Sequence, residues 1–201
     1  MELDVAIAHL TKDHLLQKII QNSSLKPADP TGDVYFDLLK SISSQQLSLQ
    51  VARAIFSRFC ALYPDHYPTP SLLANIHTEK LRSAGLSNQK AGYMKNVAAF
   101  TLEHQLDYFD WAKYPDTEII DLLTKIKGVG RWTAEMILIF TLDRPDVFPV
   151  DDLGIQQSMA KLYSLPETGK ALRLRMGEIA EPWRPYRTIA CRYLWNWKDR
   201  D

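Results

Sequence analysis

The sequence is 201 residues long and 46% apolar, enough to bury the core of one large domain or two small helical lobes, which excludes a disordered chain. Lysine and arginine number 24 together, as do aspartate and glutamate, so the formal net charge is zero. That balance excludes a uniformly basic nucleic-acid coat while leaving room for a local basic surface. The start, MELDVAIAHL, has no basic stretch before a long apolar one, and no window is apolar enough for a membrane span, so a soluble intracellular protein is expected.

Helical periodicity dominates from the start. Residues 11–22 carry Leu15, Leu16, Ile19 and Ile20 as an apolar stripe behind a candidate cap, Thr11. The segment 22–33, NSSLKPADPTGD, reads as a turn-rich linker. Helical patterns resume at 34–43 and 48–62, and Pro64 to Pro70 interrupts them. Thr78 is placed to cap a short helix that stops at Gly85, and residues 88–104 form the next, with Ala91, Met94, Val97, Ala98 and Phe100 at its apolar positions. Asp116 is placed to cap a helix over 117–126, KGVG (127–130) breaks it, and a further helix runs from about Arg131 to Leu142. Pro145 and Pro149 bracket a loop. Helices follow at 152–163, 168–180 and 185–199, with Pro185 in a first turn. No strand run, repeat or low-complexity tract appears, so the class is all-α.

Two cysteines, Cys60 and Cys191, stand far apart in apolar helical contexts and read as buried thiols. No two of the five histidines lie three or four residues apart, so no helical metal site is expected. The stretch IKGVGRWTAEMILIF (126–140) is more informative. Two apolar helices are joined by Gly128-Val129-Gly130, a turn tight enough to need glycine, with Val129 placed to pin the helices together. Such a turn exposes amides at the start of the helix beginning near Arg131, where a phosphate would bind, and its carbonyls could hold a monovalent cation. An ordinary corner between two helices would show the same glycines. Further on, Asp151 and Asp152 precede the helix at 152–163. Either could be a plain N-cap, a role compatible with an ionised carboxylate put to chemical use.

Five blocks together resemble a known family. LLTKIKGVGRWTAEMIL is similar to the hairpin LPGVGxxTA of the helix–hairpin–helix DNA glycosylase superfamily, and VFPVDDLGIQQ (147–157) to its Pro-Val-Asp segment. SISSQQLSLQVARAIFSRF (41–59) resembles the IxxQQLSxxAA segment of the alkylbase branch, which includes 3-methyladenine DNA glycosylase II. LRSAGLSNQKAGYMKNVA (81–98) and EPWRPYRTIACRYLWNW (181–197) resemble two more of its blocks, all in order over about residues 38–197.

The resemblance implies an all-α fold without the branch's N-terminal β-domain. One lobe would be 34–147, holding the hairpin at 117–142, and the other 1–33 plus 148–201, with DNA in a cleft between them. It implies a monofunctional glycosylase that hydrolyses the N-glycosidic bond of alkylated bases, of the 3-methyladenine and 7-methylguanine type, in base excision repair. Aligning the apolar follower with Ile155 selects Asp152 as the catalytic carboxylate. Relatives that also cut the strand carry a lysine where this sequence has Trp132, so no Schiff base is expected. An iron–sulfur variant would need more cysteines than the chain has. Gln46, with Gln45 beside it, falls at the position of the wedge that fills the gap left by a flipped base. A solvent-facing pair of loop amides is the alternative. Trp132, Met136 and Arg192 match pocket positions, although Trp132 could be a core residue, and an arginine at 192 replaces the tryptophan of many relatives. Lys127, Gly128, Val129, Gly130, Arg131 and Thr133 would grip the DNA backbone, and the carbonyls of Thr124, Ile126 and Val129 would hold the monovalent cation. No other cofactor is expected. Double-stranded DNA with damaged bases is the partner, the chain is a monomer, and its place is the cytoplasm at the nucleoid, or the nucleus in a eukaryote. The alternatives are the same fold acting on deaminated or mismatched bases, and a DNA-binding module without catalysis.

Overall fold

The computed structural model describes residues 3–198. Twelve α-helices follow in chain order: α1 Leu3–Leu10, α2 His14–Gln21, α3 Val34–Ser44, α4 Leu49–Cys60, α5 Pro70–Asn75, α6 Thr78–Ser83, α7 Asn88–His104, α8 Asp116–Leu123, α9 Arg131–Met136, α10 Leu153–Tyr163, α11 Gly169–Ala180 and α12 Arg187–Lys198. Among the described residues there is no strand, as the sequence pattern predicts. The chain divides into two compact units, Thr31–Ile137 and the described residues on either side of it. The expected divisions lay after residues 33 and 147.

Several helix starts differ from the sequence reading, each for a local reason. Thr11 does not cap α2. It closes α1, donating its hydroxyl to Ala8 O, and the cap is Asp13, whose Oδ1 accepts from the amides of Leu15 and Leu16 at 3.0 Å each. A carboxylate is the stronger acceptor at a helix start. Thr78 and Asp116 are the first residues of α6 and α8, with His77 and Pro115 before them, so neither is a cap. Asp116 and Glu118 still place negative charge in the first turn of α8, where the helix dipole favours it. Pro70 does not only interrupt the chain. It opens α5, because proline lacks the N–H that a first-turn residue has no use for. Pro185 stands before α12, in the turn where Tyr186 N donates to Trp183 O at 2.8 Å. The helix expected from Arg131 to Leu142 is α-helical only to Met136 and continues as a π-helical turn, Ile137–Thr141.

In the Thr31–Ile137 unit α7 is the central helix. Ser87 caps it, accepting from Lys90 N at 3.2 Å, and it buries Ala91, Met94, Val97 and Ala98 against α3, α5 and α6. In the other unit α10 packs on α11 and α12, and α2 on α12, around Ile155, Met159, Met176 and Trp183. Asp13 ties this core together, since its Oδ2 also accepts from Tyr163 Oη at 2.7 Å and Trp183 Nε1 at 3.1 Å. Asp146 takes a two-pronged ion pair from Arg187, Nε to Oδ1 at 2.7 Å and Nη2 to Oδ2 at 3.0 Å, and fixes the start of α12. Cys60 and Cys191 are both buried.

Candidate active site

In the Thr31–Ile137 unit, α8 ends at Leu123 and a turn leads into α9. Val129 is buried, and its amide donates to Ile126 O at 2.9 Å. Gly128 has φ of +107°, and a Cβ built there would lie 2.3 Å from Cγ of Tyr93, so both conformation and space demand glycine. Gly130 differs. Its φ is −94°, in ordinary territory, and a Cβ there would meet nothing within 4 Å. What its lack of a side chain does is leave the first amides of α9 without a side-chain cap. Lys127 and Arg131 are exposed on either side of the turn. Arg131 Nε meets Oε1 of the buried Glu135 at 2.9 Å. Thr133, in the first turn of α9, is only 3% exposed, so a contact with DNA there would fall to its backbone and not its side chain. Trp132 is 42% exposed, which sets aside the reading of it as a core residue, and Met136, one turn on, is half-buried.

The second feature of this unit is the loop after α3. Gln45 is its C-cap, half-buried, and Gln46 is exposed with φ of +59°, a left-handed conformation uncommon for a side-chain-bearing residue. Leu47, Leu49 and Val51 follow, all exposed. The loop is anchored from below. Lys90 Nζ donates to Ser43 O at 2.8 Å and to Gln45 O at 2.7 Å, so an ammonium sits on the carbonyl end of α3, and burial lowers the lysine's pKa from its ordinary value.

In the other unit Asp152 is the N-cap of α10 and only 8% exposed. Its Oδ1 accepts from Ile155 N at 2.8 Å and from Trp195 Nε1 at 2.9 Å. Asp151 is half-exposed and meets Arg173 Nε at 3.4 Å. The two acids are therefore distinct: one is held by the start of a helix and an indole, the other faces a surface arginine. Gly154 makes room for this arrangement. A Cβ there would fall 3.0 Å from Asp152 Oδ1 and 3.1 Å from Trp195 Cδ1. Arg192, one turn before Trp195 on α12, donates from Nη2 to Lys26 O at 2.5 Å, and with Asp143, Leu25 and Ile189 it lines a cavity of about 350 Å³. Among the described residues no group of three or more His, Cys, Asp and Glu is placed to hold a metal ion.

Sequence reasoning missed Trp195, Lys90, Tyr93 and Gly154. The only sequence trace of Trp195 was the aromatic cluster YLWNW at the end of a recognised block. Lys90 sat in another such block, LSNQKAGYM, with nothing to mark it as more than a surface lysine.

Comparison with known proteins gives this geometry its context. Residues 39–185 match the family model described as HhH-GPD superfamily base excision DNA repair protein. The DNA-3-methyladenine glycosylase 1 of Schizosaccharomyces pombe is 37% identical over 178 residues, 87% of this chain and 75% of that one. A solved structure of the S. pombe 3-methyladenine DNA glycosylase in complex with abasic DNA superposes with a TM-score of 0.81 at 32% identity and covers 95% of both chains. The DNA-3-methyladenine glycosidase of Bacillus halodurans superposes with a TM-score of 0.81 at 34% identity, over 96% of this chain and 88% of the other.

Proposed function

The chain belongs to the HhH-GPD superfamily of base excision DNA repair proteins, and from that premise we propose that it is a monofunctional DNA glycosylase, hydrolysing the N-glycosidic bond of alkylated bases such as 3-methyladenine and 7-methylguanine in duplex DNA. The observation that carries the reading is Asp152, a nearly buried carboxylate held at a helix start by two donors. Breaking an N-glycosidic bond builds positive charge on the deoxyribose. A fixed anion stabilises that charge as it develops and can orient the attacking water or accept its proton.

Each unit has its part. The Thr31–Ile137 unit supplies the grip and the wedge: the Gly128–Gly130 turn with Lys127 and Arg131 takes the DNA backbone, and Gln46 enters the stack where the damaged nucleotide leaves it. Its left-handed backbone supports that role, because strain of this kind persists where a function holds it. Trp132 offers an exposed aromatic face to a cationic methylated base. Its place after the hairpin leaves no lysine to form a Schiff base, so the reaction stops at an abasic site. Arg192 need not repel a cationic base, since its guanidinium is directed at Lys26 O and lines its cavity with Asp143. A monovalent cation would be held by the carbonyl oxygens of Thr124, Ile126 and Val129, of which that of Ile126 also accepts from Val129 N at 2.9 Å. When bound, it would give the DNA phosphate a second positive partner. The site of action follows the substrate: wherever the cell keeps its chromosome.

The test is base release from methylated duplex DNA by the wild type and by Asp152→Asn. Loss of one aimed charge costs on the order of a hundredfold or more in rate. Equal release by the two proteins would remove Asp152 from the mechanism. Borohydride reduction during turnover should trap no covalent DNA adduct.

A further inference from the structure

The two surface features of the Thr31–Ile137 unit, the Gln45–Gln46 loop and the glycine turn, are far apart in sequence, yet one helix holds both. Along α7 three residues, spaced one per turn, reach out of its sequence neighbourhood. Lys90 binds the carbonyls of Ser43 and Gln45. The Tyr93 ring fills the space beside Gly128, and its hydroxyl accepts from Gln89 Nε2 at 2.8 Å. Asn96 Nδ2 donates to Lys127 O at 3.1 Å. All three are half-buried, so none is an ordinary solvated surface residue.

We infer that α7 is a strut that sets the loop and the turn relative to each other, and that Lys90 is a positioning residue for base extrusion: it holds the backbone on which Gln46 stands.

The physical case rests on what the ammonium does. The last carbonyls of a helix have no intrahelical donor, and here α3 runs directly into a loop whose next residue, Gln46, has positive φ. A single Nζ bridging the carbonyls of residues 43 and 45 closes that end as a cap would and fixes the loop's departure angle. Without it, Gln46 would sample other backbone states, and the wedge would have to be ordered at the moment the base leaves the stack. The turn would be untouched, since Tyr93 and Asn96 hold it independently. Lys90 should thus affect extrusion and not the initial grip on the duplex, whereas Asn96 should affect the grip.

The inference rests on the glycosylase reading above, and the experiment separates the two. A duplex carries an alkylated base next to 2-aminopurine, which brightens when the neighbouring base unstacks. Duplex affinity is measured by fluorescence anisotropy, extrusion by the 2-aminopurine signal, and base release in single turnover, for wild type, Lys90→Met, Lys90→Gln and Asn96→Ala. Bonds from a charged donor are strong enough that about a tenfold loss is expected in extrusion and release for Lys90→Met, with a smaller loss for Lys90→Gln, which keeps a donor. Affinity for undamaged duplex should stay within about twofold of wild type for both, and Asn96→Ala should lower affinity instead. If Lys90→Met does not fold, Lys90→Gln alone carries the comparison. A loss shared equally by affinity, extrusion and release would make Lys90 a general structural residue and overturn the inference, as would full extrusion without the ammonium. Failure of wild type to release any base would instead count against the glycosylase reading.

Discussion

Replacing Trp195 by phenylalanine isolates one interaction of the candidate carboxylate. The indole N–H is lost, while a ring remains to keep the contact with Phe140, whose centroid lies 5.6 Å from that of Trp195. Asp152 keeps its bond from Ile155 N at 2.8 Å and so stays the N-cap of α10. What it loses is the 2.9 Å bond that fixes the carboxylate from the α12 side. A hydrogen bond to a charged group contributes about 1.5–3 kcal/mol. Because the remaining amide bond holds the rotamer, the lower end should apply, and about 1.4 kcal/mol is a tenfold change in rate. Single-turnover release of an alkylated base under saturating enzyme should therefore slow about tenfold, while affinity for an abasic duplex stays as it was. In an Asp152→Asn background the same substitution should cost little, since the two side chains act as one unit. A Trp195→Phe protein that releases bases at the wild-type rate, or one that loses the same factor in both backgrounds, would refute the idea that the indole works through Asp152.

Two further predictions concern the scaffold. Gly128→Ala combines a left-handed φ with a Cβ 2.3 Å from the Tyr93 ring and should destabilise by on the order of 3 kcal/mol, whereas Gly130→Ala should stay within about 0.5 kcal/mol in thermal unfolding. Burial alone would raise the pKa of Asp13, but the hydrogen bonds from Tyr163, Leu16, Trp183 and Leu15 outweigh it and hold the carboxyl below its ordinary value. Its contribution to stability is thus complete above the ordinary carboxylate range and is lost as pH falls through the lowered folded value. Urea unfolding across acid pH should show a flatter decline for Asp13→Asn than for the wild type.

How much of this was legible in the sequence depended on how local each feature is. The glycine turn could be read because Gly128 must adopt a conformation only glycine tolerates well, and that demand shows in the residue itself. Asp152 was not separable from Asp151 by any local signal, since either acid could cap the helix that follows. The family's pattern, through the apolar follower Ile155, chose it, and the structure makes Asp152 the N-cap and sets Asp151 against Arg173. The caps failed where two local signals competed, as when Thr11 stood two residues before the stronger acceptor Asp13. Trp195 and Lys90 were hidden because their partners lie 43 and about 45 residues away, at Asp152 and on the loop after α3. A tryptophan on an amphipathic helix and a lysine near a helix start carry no mark of such partners, which only the packing of α12 on α10 and of α7 on α3 supplies.

The two helix starts at the centre of the proposal use one device in opposite ways. At α10 the positive end is filled from within by Asp152. At α9 the N-cap is Gly130, which offers no acceptor and whose missing side chain faces open space. An anion from outside the chain can thus take the place at α9 that a carboxylate takes at α10. Gly130→Asp should convert one into the other. The backbone at 130 is already extended, with φ of −94° and ψ of 171°, so an aspartate fits there as an N-cap and should leave stability equal or raise it by a few tenths of a kcal/mol. The same carboxylate would occupy the amides and repel a phosphate, lowering duplex affinity by at least about tenfold at low salt. Gly130→Asn, which caps without the charge, should fall between. Stable folding with undiminished affinity in Gly130→Asp would mean that no DNA phosphate sits at the start of α9, and the grip would have to be sought elsewhere on the unit.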